Sequence, residues 1–533
     1  GSVSLAESLG SWAEILRLHH RQNRPFAAKL YEEALEALEA QTAHLGGTDD
    51  GRSVFRSQHA DIWRGYTELL FGQDNPGGAL EVIERSRAQS LMEMLVRGRV
   101  AIRNGVDRNL LEEMQLLKRS LVVKFDNRVG VLTQSNGTLG QTTADSEIAK
   151  IIVRQNEVDA AIQKTSPRYA SLAKPKALTI REIQALLDED TTLIEYMLGD
   201  AHTRVWTVTP YSVRAYELPS RMSVEARARD VYSLLSQNRC LESDPEWRRA
   251  ITNLANILVA PIKKELKGRR LAVVSDGALQ YIPFGILPID DPGTPLIARY
   301  EVIALPSASV LSLLRSERAR RRPPVNSLAV LADPVFDSSD ERVKHDDSKR
   351  QKGIPSTMTL TSERLMRSIA DARQSDHLPR LIASRREASA ILAATPGVRK
   401  MAALDFSANR PRAIGGQLAK YRIVHFATHA LLDSSHPELS GLVLSLVDPE
   451  GNPQNGFLSL EDIYNLNLPV DLVVLSACET ALGKQIDGEG LVGLTRGFMY
   501  AGATRVVASL WKMDDVASAE LMARFYREMG EKQ

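Results

Sequence analysis

The chain has 533 residues, 67 Lys and Arg against 66 Asp and Glu, a net charge of +1 and 43% hydrophobic residues. That length supplies material for two or three domains with their own cores, and the charge balance gives no global sign of a polyanionic partner, the densest basic run being RSERARRRPP at 315–324, which reads equally as the end of a helix. Two cysteines, Cys240 and Cys478, cannot build a disulfide framework, and no apolar run reaches the roughly 18 residues of a membrane span, so a cytoplasmic setting away from membranes is expected.

The opening Gly1-Ser2 reads as a cloning remnant, which leaves the question of a leader open. Residues 1–100 read as helix throughout. The stretches SWAEILRLHHRQNRPFAAKLYEEALEALEA and IWRGYTELLFGQDNPGGALEVIERSRAQSLMEML share a register in which Trp12 and Trp63, Pro25 and Pro76, and Ala28 and Ala79 stand 51 residues apart. Each copy is an aromatic-bearing helix, a Pro-containing turn and a second helix with small residues for close packing. One such hairpin cannot bury its own apolar face, so hairpins of this kind stack. The pattern resembles tetratricopeptide repeats, with an offset longer than their roughly 34 residues. Residues 101–175 continue as a charged helical linker, LLEEMQLLKRSLVVKF and SEIAKIIVRQNEVDAAIQ on either side of the polar TQSNGTLGQTTADS.

From residue 176 the texture changes. TTLIEYML, RVWTVTP, SVRAYEL, RRLAVVSDG, YEVIALPS, SLAVLADP, RIVHFATH, GLVLSLVDP, DLVVLSACE and RVVASLW are predicted strands, most of them bounded by Gly, Pro, Asp or Ser. Helical stretches separate several of them, which predicts parallel strands in a sheet covered on both faces, an α/β fold behind the N-terminal helices. The segment Asp337–Glu363 is too polar for a core and predicts an exposed loop.

Two of the predicted strands lead to reactive side chains. LVVLSAC ends on Cys478 and RIVHFATH on His429. The carboxyl edge of an open α/β sheet is where sites form, and a thiolate nucleophile beside a general acid/base is the minimum for acyl transfer. Either residue alone reads equally well as structure, since a lone Cys behaves as a small buried hydrophobe. Their placement at corresponding strand ends is what points to chemistry.

HFATHALLDSSHPELSGLVLS, GFLSLEDIYNLNLPVDLVVLSACETALG, GEGLVGLTRGFMYAGATRVVASLWKMDD and LMARFYREM resemble, in order and spacing, the consecutive blocks of the CHAT domain, a caspase-like peptidase domain found behind tetratricopeptide repeats in bacteria. LAVVSDGALQYIPFGILP, LADPVFD and SRREASAIL are further echoes of it. The resemblance implies residues 176–325 as the N-terminal half and 326–533 as the catalytic half of a caspase-like α/β domain, its mostly parallel sheet covered by helices. It further implies a cysteine endopeptidase acting on protein substrates with His429 as base and Cys478 as nucleophile, without metal or cofactor.

The backbone N–H groups of Cys478 and Ala430 would form the oxyanion hole. Gly is usual in the family at Ala430, and the extra methyl is costly where φ is positive. His425 is expected to be structural, and His436 to lie in a loop. SLWKMDD places Asp515, with Asp514 beside it and Trp511 as a wall, where the separase relatives bind a basic P1 side chain; an Asp there is also a natural helix cap. Glu479 and Glu489 flank the site. The chain ends at FYREMGEKQ, where the family continues through another helix and strand, so a shortened C-terminus is expected.

Three functions follow. The first is a regulated protease whose helical repeats bind a substrate or a protein activator. The second is a scaffold that works through its repeats with an idle dyad. The third is the protease subunit of a nucleic-acid-triggered defence complex, with the nucleic acid acting through a partner, because the chain carries no nucleic-acid motif of its own.

Overall fold

Pro25 and Pro76 each stand in the first turn of a helix, where a missing N–H costs nothing. The structure, a computed structural model, describes residues 3–44, 58–87, 177–241, 243–290, 293–344, 378–395, 399–431, 440–476, 483–486 and 490–531, with scattered positions between 55 and 161. Two compact units divide the chain: Gly1–Val100, Ser171–Arg320 and Gln485–Leu491 form one, and Ala101–Ala170, Arg321–Lys484 and Val492–Gln533 the other.

In the first unit α1 (Val3–His19) and α2 (Arg24–His44) make one hairpin, α3 (Ala60–Phe71) and α4 (Pro76–Ser86) the next. The Asn75 side chain caps α4 by accepting from Gly78 N at 2.9 Å. A Cβ on Gly10 would lie 2.8 Å from Ile62, so the absent side chain lets α1 and α3 approach. The repeated register is present, but its equivalent positions differ in burial. Trp63 is 9% exposed, whereas Trp12 is 49% exposed and meets Phe26 edge-on at 5.3 Å.

The hairpins continue directly onto a sheet. Strands β1 (Thr191–Met197), β2 (Thr203–Thr209), β3 (Ser212–Leu218), β4 (Arg270–Val274) and β5 (Glu301–Ala304) lie in the order β3-β2-β1-β4-β5. The β1–β2 and β2–β3 pairs are antiparallel, and β1–β4 and β4–β5 parallel. Leu35, Leu38, Trp63, Leu80 and Ile83 of the hairpins share one apolar cluster with Leu193, Trp206 and Val208. Polar ties fix the register of that contact: Trp206 Nε1 donates to Pro76 O at 2.9 Å, and Arg204 grips Glu68 at 3.0 and 2.7 Å. Every residue of β1 is buried, as expected for a central strand covered on both faces. Helices α5 (Ile180–Leu186), α6 (Arg221–Ser236), α7 (Pro245–Leu258) and α8 (Ala308–Arg320) complete the unit.

The second unit is built on a parallel sheet of β6 (Asn326–Ala332), β7 (Lys400–Leu404), β8 (Tyr421–Ala427), β12 (Leu472–Ser476) and β15 (Val506–Ala508), in the order β15-β12-β8-β6-β7. Side chains alternate between its faces. Leu328, Val330 and Val474 pack with Ile391 and Tyr526 of α9 (Ile382–Ala394) and α11 (Asp515–Glu531). Leu331, Phe426, Val473 and Leu475 pack with Phe498 of α10 (Leu494–Ala501) and with Ile463. A small antiparallel sheet of β9 (His429–Leu431), β10 (Gly441–Val443) and β11 (Phe457–Ser459) follows β8. Outside these sheets, β13 (Gly483–Ile486) pairs with β14 (Gly490–Gly493).

Helices first and a mixed α/β region behind them is the predicted class. All ten predicted strands are present; β7 and the short β9, β11, β13 and β14 were not predicted, and β7 is the one that belongs to the main parallel sheet. Its sequence, KMAAL, carries little strand signal, and as an edge strand it buries only Ala403. The expected exposed loop at Asp337–Glu363 needs correcting for its first part: Val343 is buried against Val335 and Val447, and Arg342 is tied into the ion pairs described below. The remainder of that loop, and nearly all of the expected linker at 101–175, lie outside the described residues. Among the described residues no helix is long and apolar enough to cross a membrane.

Candidate active site

The register of the second sheet puts four strand ends level. Ala427 at the end of β8 pairs with Ser476 of β12 on one side and Ala332 of β6 on the other, and Ala332 pairs with Leu404 of β7. His429 follows Ala427 by two residues, and Cys478 follows Ser476 by two. The strands leading to the two residues are therefore adjacent and parallel. Cys478 itself, with Glu479, Glu489 and His436, lies outside the described residues.

His429 opens β9 and is 6% exposed. Its ring lies 5.2 Å from that of Phe336, and Nε2 is 2.8 Å from the Pro379 carbonyl oxygen. A carbonyl only accepts, so Nε2 carries a proton, and in the neutral ring Nδ1 then holds the lone pair. One backbone oxygen thereby sets the tautomer. The preceding Thr428 is buried and its hydroxyl donates to Val443 O, which fastens the turn between β8 and β9.

Ala430 of β9 pairs with Leu442 of β10, is buried, and is absent from the described residues with positive φ. Its methyl group is therefore accommodated without the strain expected of a left-handed position. His425 is structural, as expected: fully buried, with Nε2 2.8 Å from Glu387 Oε1 of α9 and Nδ1 3.1 Å from Tyr526 Oη of α11.

The two predicted pocket acids have distinct partners. Asp514 caps α11, its Oδ1 accepting from Val516 N at 3.0 Å and Ala517 N at 2.9 Å. Asp515 reaches across to α9, where Oδ2 accepts from Ala383 N at 2.9 Å. Burial pushes the Asp515 carboxyl above the usual range, the Ala383 N–H opposes this, and the charges of Glu387, Asp514 and Asp333 add to the upward push. Trp511 is partly buried in the loop before α11.

Sequence reasoning missed the Pro379 contact and the charged cluster behind it. Pro379 acts through a backbone oxygen, which leaves no side-chain signal. Asp333 and Asp405, the residues directly after β6 and β7, both adopt positive φ (48° and 52°), a conformation Asp tolerates better than most residues. Asp333 is fully buried. Arg380 forks onto it, Nε to Oδ1 and Nη2 to Oδ2, both at 2.9 Å. Arg385 Nε donates to Oδ2 at 2.6 Å, and Arg342 Nη1 lies 3.1 Å from Oδ1. Arg342 and Arg385 also meet at Asp405. The available signal was an Asp at the carboxyl end of a predicted parallel strand, in LAVLADP.

A model of the CHAT domain family matches residues 248–533. Human tetratricopeptide repeat protein 28 is 26% identical over 314 residues, which is 52% of this chain and 11% of that protein. The mouse protein of the same name is 24% identical over 319 residues, 52% of this chain and 12% of its own length. The chain thus spans little more than a tenth of either relative.

Proposed function

The chain belongs to the CHAT domain family, whose fold is that of caspase-like peptidases, and from this premise we propose that it is a cysteine endopeptidase with His429 as base and Cys478 as nucleophile. The observation that carries the reading is the bond from His429 Nε2 to Pro379 O, which leaves Nδ1 as the basic nitrogen at the sheet edge shared with the strand that leads to Cys478. Nδ1 takes the Cys478 thiol proton, and the thiolate attacks the scissile carbonyl. The N–H groups of Cys478 and Ala430 receive the developing oxyanion, the imidazolium protonates the leaving amine, and water releases the acyl group. As the ring becomes cationic, the new N–H is at Nδ1 while the Pro379 oxygen goes on accepting from Nε2. The helical hairpins recruit a protein substrate or activator, and an exposed free Cys240 fits a reducing, cytoplasmic compartment.

The test is a diverse peptide library incubated with the protein and with its Cys478→Ala variant, cut sites being read by mass spectrometry. Cuts made by the parent protein alone are expected. A parent protein that cuts nothing beyond its variant removes the peptidase reading and leaves the hairpin scaffold.

For specificity, Asp515 lines the S1 pocket in this reading, with Trp511 as wall and Asp514 as its neighbour. Asp515→Asn retains an oxygen for Ala383 N and removes only the charge. Cleavage after Lys or Arg should then fall on the order of 100-fold, while cuts after other residues stay as they were. An unchanged cut-site profile would reduce Asp515 to an anchor for α9.

A further inference from the structure

We infer that Arg380, held by the buried carboxylate of Asp333, is a positioning residue for His429. The inference rests on the reading of His429 as the base. The C=O of Pro379 and the N of Arg380 belong to one planar peptide unit, so whatever fixes residue 380 fixes the direction of the carbonyl that accepts from His429 Nε2. The guanidinium of Arg380 is fixed by both oxygens of Asp333 at 2.9 Å, a fork that sets orientation as well as distance.

Asp333 holds the same segment a second time through its backbone. Its N–H donates to Ser384 Oγ at 3.1 Å, and that hydroxyl donates to Leu381 O at 2.6 Å. Residues 380 and 381 are therefore both tied to the end of β6. From the far side, Asp515 accepts from Ala383 N. The carboxylate itself cannot drift, since it is fully buried among Arg342, Arg380 and Arg385 and its residue sits in a left-handed backbone conformation at the strand end.

Two roles for this cluster make different predictions. A cluster that only stabilises the fold loosens alike when any of its arginines is removed. A positioning device responds at residue 380 alone, because only that residue shares a peptide plane with the carbonyl. Arg385 supplies the control: it also donates to Asp333 but lies in α9, beyond Ser384.

The experiment compares Arg380→Gln and Arg385→Gln with the parent protein by imidazole 15N NMR, without substrate, and by turnover of the best peptide from the library. The parent protein is expected to show His429 protonated on Nε2. Arg380→Gln should give a mixture of tautomers and a kcat lower by about tenfold with KM changed far less, while Arg385→Gln keeps the single tautomer. If Arg380→Gln does not fold, Arg380→Lys, which keeps the charge but not the fork, should shift the tautomer in the same direction by less. An unaltered tautomer in the Arg380 variant, or equal changes in both variants, overturns the inference. A tautomer shift in a protein that cuts no peptide would keep the positioning role and overturn the peptidase reading instead.

Discussion

Glu84→Ala is expected to lower the stability of the first unit by ~3–5 kcal/mol, the cost of removing one partner from a buried charged cluster. Glu84 sits on α4 and is fully buried, yet it serves another helix. Its carboxylate accepts from Ala308 N and Ser309 N, each at 2.9 Å, and from Ser309 Oγ at 2.6 Å, where α8 begins. Those N–H groups have no partner within their own helix, and a negative charge there also meets the positive end of the helix dipole. Truncation strands them in the core. Urea denaturation of the two proteins measures the difference, and a loss under about 1 kcal/mol, the worth of an ordinary hydrogen bond, would show that water replaces the carboxylate.

The neighbour of Glu84 predicts the opposite sign. Glu195 of β1 is fully buried and neither of its oxygens has a hydrogen bond of good geometry, although Arg87 Nε lies 3.3 Å from Oε1. Burial drives its pKa well above the usual value, the charge of Glu84 adds to this, Arg87 opposes it, and Asp276 adds a smaller upward push. A carboxyl whose folded pKa is raised binds its proton more tightly in the folded state. The stability it contributes is complete below the unfolded value of 4.5 and is lost as pH rises through the folded value. Glu195→Gln keeps the shape and never ionises, so its stability should fall less with rising pH than the parent's and exceed it at the alkaline end. Parallel curves from pH 5 to pH 9 would mean that folding does not raise the Glu195 pKa.

Neither of these carboxyls was legible in the sequence, and the reason is physical. ALEVIERS reads as an amphipathic helix with its glutamates in water, and TTLIEYM as a strand with one polar exception. Both become core positions only because α4 lies on the face of the sheet, a tertiary event that periodicity does not encode. The strands themselves were legible because each is a short β-rich run closed by Gly, Pro, Asp or Ser. The hairpins were legible because Trp12, Pro25 and Ala28 recur as Trp63, Pro76 and Ala79. The site was legible to the extent that it consists of reactive side chains at strand ends, which named His429 and Cys478. It was opaque where it depends on a backbone oxygen, that of Pro379, and on Asp333 and Arg380, which are 47 residues apart and look like surface charges until the strand end buries one of them. The hazard foreseen at Ala430 came from the family's preference for Gly, and the extended backbone of β9 removes it.

His429→Gln separates the two jobs of the histidine and should have the largest effect on turnover. The Gln amide can place an N–H near the position of Nε2 and still donate to Pro379 O, so the contact that orders the segment before α9 is kept. What it lacks is a basic nitrogen. General acid–base assistance contributes on the order of 10²–10⁴ to rate, and kcat/KM for the best library peptide should fall by that factor while the melting temperature moves little. Alkylation of Cys478 by a small electrophile offers a check that needs no substrate. In the proposed dyad the thiol should be activated near neutral pH with His429 in place; with Gln its reactivity should rise only near the ordinary thiol pKa of about 8.5. The alkylation profile is thus expected to move to higher pH in the variant. A variant that keeps more than a tenth of parental turnover, with its alkylation profile unmoved, would mean that His429 only organises the site and that another group takes the proton.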